Sequence, residues 1–178
     1  MPAGERRPVT GGPLVASTGE QCPVGGERRL TAGEVALARG VFGQAIDYGQ
    51  VTIRRRKWFP LQPRRVTMAP RGHLHFHPLS DAYCDDFGAA PLHRQGLFIH
   101  EMTHVWQTQR LGEWYLVLHR HPWCRYDYAM RPGWTLDRYG IEQQAEIVRH
   151  AFLLRAGAKV PGAPPQSAYE SILPFKPR

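Results

Sequence analysis

The residues best suited to chemistry are His100, Glu101 and His104, the fixed positions of an H-E-x-x-H run inside Leu97-Phe98-Ile99-His100-Glu101-Met102-Thr103-His104-Val105-Trp106. No proline falls within residues 92–118, and the apolar character around the run predicts a helix. Residues four apart share one face of a helix, so His100 and His104 can turn two imidazoles toward one ion. Glu101 lies beside the pair, placed to act on a nearby water as general base. Zinc-assisted hydrolysis is the chemistry this spacing predicts, with one zinc ion per chain. The competing reading has two histidines satisfied by neighbours and a surface glutamate, with no metal.

Downstream carboxylates favour the metal. Glu142-Gln143-Gln144-Ala145-Glu146 begins 38 residues after His104. Ile141, Ala145, Val148 and Phe152 make an apolar stripe at helical spacing, which predicts a helix over residues 141–156. Glu142 and Glu146 border that stripe and are expected to be half-buried. Half-burying two carboxylates is costly unless something positive meets them. A divalent ion and a ligand histidine are such partners, and so are Arg138 and Arg149 if no metal binds.

The elements that must hold these residues can be traced along the chain. Residues 1–29 are rich in Gly, Pro, Thr and charge, and read as a poorly ordered leader. A domain is expected over residues 30–157. It starts with a helix whose Thr31-Ala32-Gly33-Glu34 fits a capping box, whose apolar face runs to about Phe42, and which Gly43 can stop. Residues 46–57 read as a strand, with Val51 and Ile53 alternating against Thr52 and Arg54. A hairpin is expected around Pro70-Arg71-Gly72, its returning strand carrying His73, His75 and His77 on a solvent-facing side and Leu74 and Phe76 in the core. The metal helix is expected to end at Gly112, and Trp114 to Leu118 can form a helix or a strand. Residues 158–178 read as an irregular tail over the domain. Short strands beside separate helices place the chain in the α+β class.

Composition bounds the function. The chain has 178 residues and 42% hydrophobic content, enough for one domain with a substantial core. No apolar run is long enough to span a bilayer, and the first residues lack the apolar core of a signal peptide, so a cytoplasmic protein is expected. Cys22, Cys84 and Cys124 are odd in number and widely spaced, which indicates neither a disulfide framework nor a cysteine-type zinc site. The formal charge is +8, much of it in Arg54-Arg55-Arg56-Lys57 and Arg64-Arg65. Trp58 and Phe59 beside that run allow stacking on a nucleic-acid base, but no nucleic-acid motif accompanies them, and a solvated strand and loop is the preferred reading. Nothing in the sequence sets an oligomeric state.

H-E-x-x-H followed by E-Q-Q-A-E resembles the gluzincin branch of zinc metallopeptidases. The resemblance implies Glu142 as the third zinc ligand and Glu146 as the carboxylate that orients a ligand histidine, although Glu stands at 146 where Asp is commoner. "LFIHEMTHVWQ", "YCDDF", "CRYDY" and "IEQQAEIVRHAFLL" also look like the small zincin-like proteins of the Vgr-related group, akin to a peptidase-like domain found beside bacterial contractile injection systems. That resemblance spans residues 30–157. It implies a minimal zincin-like fold, in which a small twisted sheet packs on the metal helix and the carboxylate helix. It further implies peptidase action on a peptide or protein substrate, association with an injection system, and possible export through one. A non-enzymatic counterpart is a binding or assembly module of such a particle that keeps zinc for folding. For a peptidase, the developing oxyanion needs one donor besides the metal. Tyr139, Tyr128, His75 and His77 are the candidates.

Overall fold

Every residue from Phe98 to Thr108 is buried, so the helix that carries H-E-x-x-H runs through the middle of the molecule rather than over its surface. The structure, a computed structural model, describes residues 21–119 and 125–175. In chain order its elements are β1 (Glu27–Arg29), α1 (Ala32–Phe42), β2 (Thr52–Arg54), β3 (Leu74–His75), α2 (Leu92–Leu111), α3 (Tyr115–His119), α4 (Ile141–Arg155) and α5 (Gln166–Glu170). Short 3-10 turns occupy Tyr48–Gln50 and Leu136–Arg138. The α+β class is as expected.

The sheet has the order β1-β2-β3. β1 pairs antiparallel with β2, Arg28 opposite Ile53, and β2 pairs parallel with β3, Ile53 opposite Leu74. Its apolar face enters the core through Val51, Ile53, Leu74 and Phe76, none of which is exposed. From there Phe76, Phe87 and Phe98 stack in series at 5.5 and 5.3 Å, joining the sheet to α2. Fully burying each such ring contributes about 1.5–3 kcal/mol.

Local signals in the chain account for the helices. Thr31 caps α1 through its hydroxyl, which accepts from the Glu34 amide, while the Glu34 carboxylate accepts from the Thr31 amide at 2.9 Å. Gly43, at φ +58°, ends the helix in a backbone conformation that side-chain-bearing residues avoid. α2 and α4 form the main helix–helix contact of the structure. Gly96 lets them approach: a Cβ there would meet Leu153 at 3.2 Å.

Four expectations need correction. Residues 27–29, assigned to the leader, form β1, and Cys22 is buried just before it. Residues 1–20 lie outside the described residues. The long strand over residues 46–57 shortens to Thr52–Arg54, because the Asp47 carboxylate accepts from the Gly49 amide and starts a 3-10 turn instead. The hairpin survives only as a Met68–His75 bridge, since the main partner of β3 is β2, across 21 residues of chain. The tail contains α5 and is part of the core: Tyr169 is wholly buried, and Phe175 packs on Phe42 and Trp106 at 4.9 and 5.0 Å.

The basic run is occupied within the fold. Arg54 and Arg56 both reach the Glu27 carboxylate, Arg55 lies over the Tyr83 ring, and Lys57 donates to the Pro60 carbonyl. Among the described residues, no helix is long and apolar enough to cross a membrane.

Candidate metal centre

α2 supplies His100 and His104 from one face, and α4 supplies Glu142 from its first turn. One ligand atom from each lies within 4.8 Å of the others, and all three residues are buried. Glu142 Oε2 stands 3.3 Å from His100 Nε2 and 3.2 Å from His104 Nε2.

The far side of each imidazole is held by an oxygen. His104 Nδ1 lies 2.8 Å from Gln107 Oε1. The Gln107 amide nitrogen donates to the Ile141 carbonyl and to Gln144 Oε1, so its oxygen is an acceptor and His104 Nδ1 must donate. His104 Nε2 then carries a lone pair aimed at Glu142. His100 Nδ1 lies 2.8 Å from Glu146 Oε1, an approach too oblique for a well-formed hydrogen bond. When both rings are neutral and carry their proton on Nδ1, two imidazole lone pairs and a carboxylate oxygen converge on one small volume. Three acceptors that close repel one another unless a proton or a metal cation lies among them, and the proton on His100 serves in the metal-free protein. Two neutral imidazoles and a carboxylate are the donor set that zinc accepts, so these residues fit the ion.

Electrostatics agree. Burial alone would lower the His100 pKa, but Glu142 and Glu146, with Glu101 nearby, raise it to about 9. A field that holds a proton so firmly also favours a divalent cation at the same place. Burial would raise the Glu146 pKa, yet His100 and Arg149 bring it down to about 2. Glu101 follows His100 on α2 and is itself buried, and its Oε2 has no hydrogen-bond partner among the described residues. An unpaired buried carboxylate oxygen is costly.

No protein-family model matches the chain. Over 133 residues, 71% of its length, the chain is 44% identical to the type VI secretion system spike protein VgrG2b of Pseudomonas aeruginosa, and it spans 13% of that protein. Its structure matches the effector domain of P. aeruginosa VgrG2b with a TM-score of 0.65 and 36% sequence identity, covering 89% of this chain and 85% of the domain. The chain belongs to the VgrG2b effector-domain family.

In this family member, the predicted site residues divide into two sets. His100, His104 and Glu142 come together, with Glu101 on the same helix and Glu146 behind His100. Glu146 also pairs with Arg149 at 3.1 Å. Each of the four oxyanion candidates has partners of its own. The Tyr139 hydroxyl accepts from the Arg131 amide, and His77 Nδ1 accepts from the Leu79 amide. His75, expected in solvent, is buried against Trp58, and burial together with Arg54 lowers its pKa to about 4. The Tyr128 hydroxyl bonds His150 Nδ1 at 2.6 Å and the Tyr169 hydroxyl at 2.8 Å.

Sequence reasoning missed four neighbours. His150 Nε2 lies 3.3 Å from Glu146 Oε2, so one carboxylate joins His100 to His150 and, through it, to Tyr128. Its spacing, one turn beyond Glu146, was readable. Gln107, three residues after His104, was readable in the same way, and with it Gln144. Tyr126 was not: it comes from an irregular segment, and its ring lies nearly parallel to that of His100 at 6.3 Å.

Proposed function

We infer that this member of the VgrG2b effector-domain family is a zinc metallopeptidase of zincin type, acting as an effector module of a type VI secretion system on a peptide or protein substrate. The observation that carries the reading is the convergence of His100, His104 and Glu142 beside a buried Glu101 with an unpartnered oxygen. A purely structural zinc site has no use for that oxygen. Relationship to a spike protein and its effector domain supports the secretion role.

His100, His104 and Glu142 would hold the zinc. Bound there, zinc would acidify a water molecule and polarise the scissile carbonyl. Glu101 takes the proton from water as it attacks and returns it to the departing amine. Gln107 and Glu146 hold the two imidazoles in register by their far nitrogens. Tyr126, half-exposed beside His100, is the tyrosine best situated to meet charge developing on a substrate oxygen.

The test combines metal analysis with hydrolysis of a fluorogenic peptide panel. One zinc per chain is expected, most of it lost in His104→Ala. Glu101→Gln is expected to keep zinc and fold while hydrolysis drops by roughly 100-fold or more. Zinc that raises thermal stability without any peptide being cleaved by the wild type would favour a zinc-stabilised assembly module. Absence of zinc after incubation with the metal would remove the site.

A further inference from the structure

Beside the candidate metal centre, the His104 ring forms one wall of a pocket of about 150 Å³. Trp58 and Phe59, from the connection between β2 and β3, form a second wall. Met68 and Pro70 precede β3, and Leu116 and Val117 come from α3. Apart from His104, then, every lining residue is apolar.

The pocket is built rather than incidental. The Trp58 amide donates to Gln62 Oε1 at 2.7 Å, and the buried Gln62 amide nitrogen donates in turn to the carbonyls of Val66 and His75. The Trp58 ring packs edge-on against His75 at 5.2 Å. This wall is therefore fixed before any ligand arrives. Its outer part is apolar as well: of the lining residues, Phe59 and Val117 keep large parts of their side chains in solvent. A surface concavity with such a rim marks a place where apolar groups are received.

We propose that this pocket receives one apolar side chain of an extended peptide, of leucine, methionine or phenylalanine size, belonging to a residue that flanks the scissile bond; the proposal rests on the peptidase reading. Size sets the first limit, since an apolar cavity of about 150 Å³ accommodates a benzene ring. Position sets the second. The imidazole that lines the pocket also presents Nε2 to Glu142, and consecutive residues of an extended chain advance only about 3.3–3.6 Å. A side chain seated against His104 thus belongs to a residue adjoining the bond under attack. Charge sets the third, because no described residue lining the pocket offers a carboxylate, ammonium or guanidinium to pair with a charged side chain. On the His100 side, an open groove of about 500 Å³ runs past Tyr126, Tyr128, Met130 and His150, leaving room for the rest of the chain.

The experiment uses full-length, zinc-loaded Glu101→Gln protein and labelled hexapeptides with Phe, Leu, Ala or Asp at one central position. Binding is read by fluorescence anisotropy, and wild-type hydrolysis of the same peptides is followed in parallel. Phe and Leu peptides are expected to bind at least about tenfold tighter than Ala or Asp peptides. Val117→Asp, at the half-exposed mouth, is expected to erase that ratio while zinc content and melting temperature stay at wild-type values. If peptides bind with the apolar preference but the wild type cleaves none of them, the pocket stands and the peptidase reading falls. If peptides are cleaved and bound with no preference at that position, the pocket is overturned and the peptidase reading stands. No binding by any peptide overturns the pocket, whatever the zinc content.

Discussion

Glu146 joins three side chains at the candidate centre. Its Oε1 lies 2.8 Å from His100 Nδ1, its Oε2 lies 3.3 Å from His150 Nε2, and Arg149 reaches it from one turn away. Here the extra methylene of Glu, where Asp is commoner in the resembled peptidases, lets one carboxylate reach two imidazoles from its two oxygens. Glu146→Gln is expected to weaken zinc binding roughly 10–100-fold, the usual cost of losing an outer carboxylate, and to fall between wild type and Glu142→Ala. Glu146→Asp should also bind zinc more weakly than wild type, because it cannot hold both contacts. A zinc titration in which Glu146→Ala matched wild type would reduce this residue to a surface charge. His100 adds a pH dependence. Its folded pKa is raised to about 9 from an ordinary 6.5, so in metal-free protein its stabilising contribution is full below pH 6.5 and is lost as pH rises toward 9. Melting temperatures of chelated protein should therefore fall across that window, while zinc affinity should climb as the competing proton leaves. A flat melting profile in the chelated protein would contradict the raised pKa.

At the level of elements, a buried ion pair ties β1 to α1. Arg28 grips the fully buried Glu34 carboxylate through two nitrogens at 2.8 and 2.7 Å, and Glu34 also accepts from the amides of Thr31 and Phe87. Removing one partner of such a pair leaves the other charge buried and unpaired, at a cost of about 3–5 kcal/mol. Glu34→Ala is expected to lose that much in urea unfolding, although it lies in α1, outside the metal centre. The same region shows what the sequence could disclose. The capping box of α1, the glycine after it, the four-residue spacing on α2 and the stripe on α4 are all local patterns, and each predicted its element nearly to the residue. Two strands of the sheet fall inside runs the alternation marked, but its bounds and order were not legible, because its strands are two or three residues long and the parallel pairing of Ile53 with Leu74 is a long-range choice. Burial of His75 escaped notice for a related reason: alternation put it on the polar face, but Trp58, 17 residues earlier in the chain, folds over it. Of the candidate site, His100, Glu101 and His104 could be read from spacing, Glu142 came with the family resemblance, His150 and Gln107 were readable but unread, and Tyr126 depends on the path of an irregular segment.

For the whole molecule, the decisive feature is how the C-terminal segment closes the fold. Phe175 sits edge-on to Phe42 of α1 and Trp106 of α2, so one ring links the first helix to the central one. Tyr169 is wholly buried, and its hydroxyl bonds Tyr128, which bonds His150. The same segment thus serves two purposes, and two substitutions can separate them. Phe175→Ala removes core packing remote from the polar network, and deleting a buried phenylalanine costs about 3–5 kcal/mol. In a domain of this size each kcal/mol moves the melting temperature by roughly 2–4 °C, so a fall of about 6–20 °C is expected. Zinc affinity measured well below that transition should stay close to wild type, because the ring contacts of Phe175 among the described residues are to Phe42 and Trp106, neither of them a candidate ligand. Tyr169→Phe keeps the ring and deletes only a hydroxyl, which should cost about 1 kcal/mol. Its effect should be seen instead in the network, where Tyr128 loses its second partner and His150 is held less firmly against Glu146. A small fall in melting temperature with a measurable loss of zinc affinity is the expected outcome for Tyr169→Phe, the reverse of Phe175→Ala. If both variants changed stability and zinc binding in the same proportion, the tail would act on the metal centre only through global stability, and the chain from Tyr169 to His100 would carry no separate role.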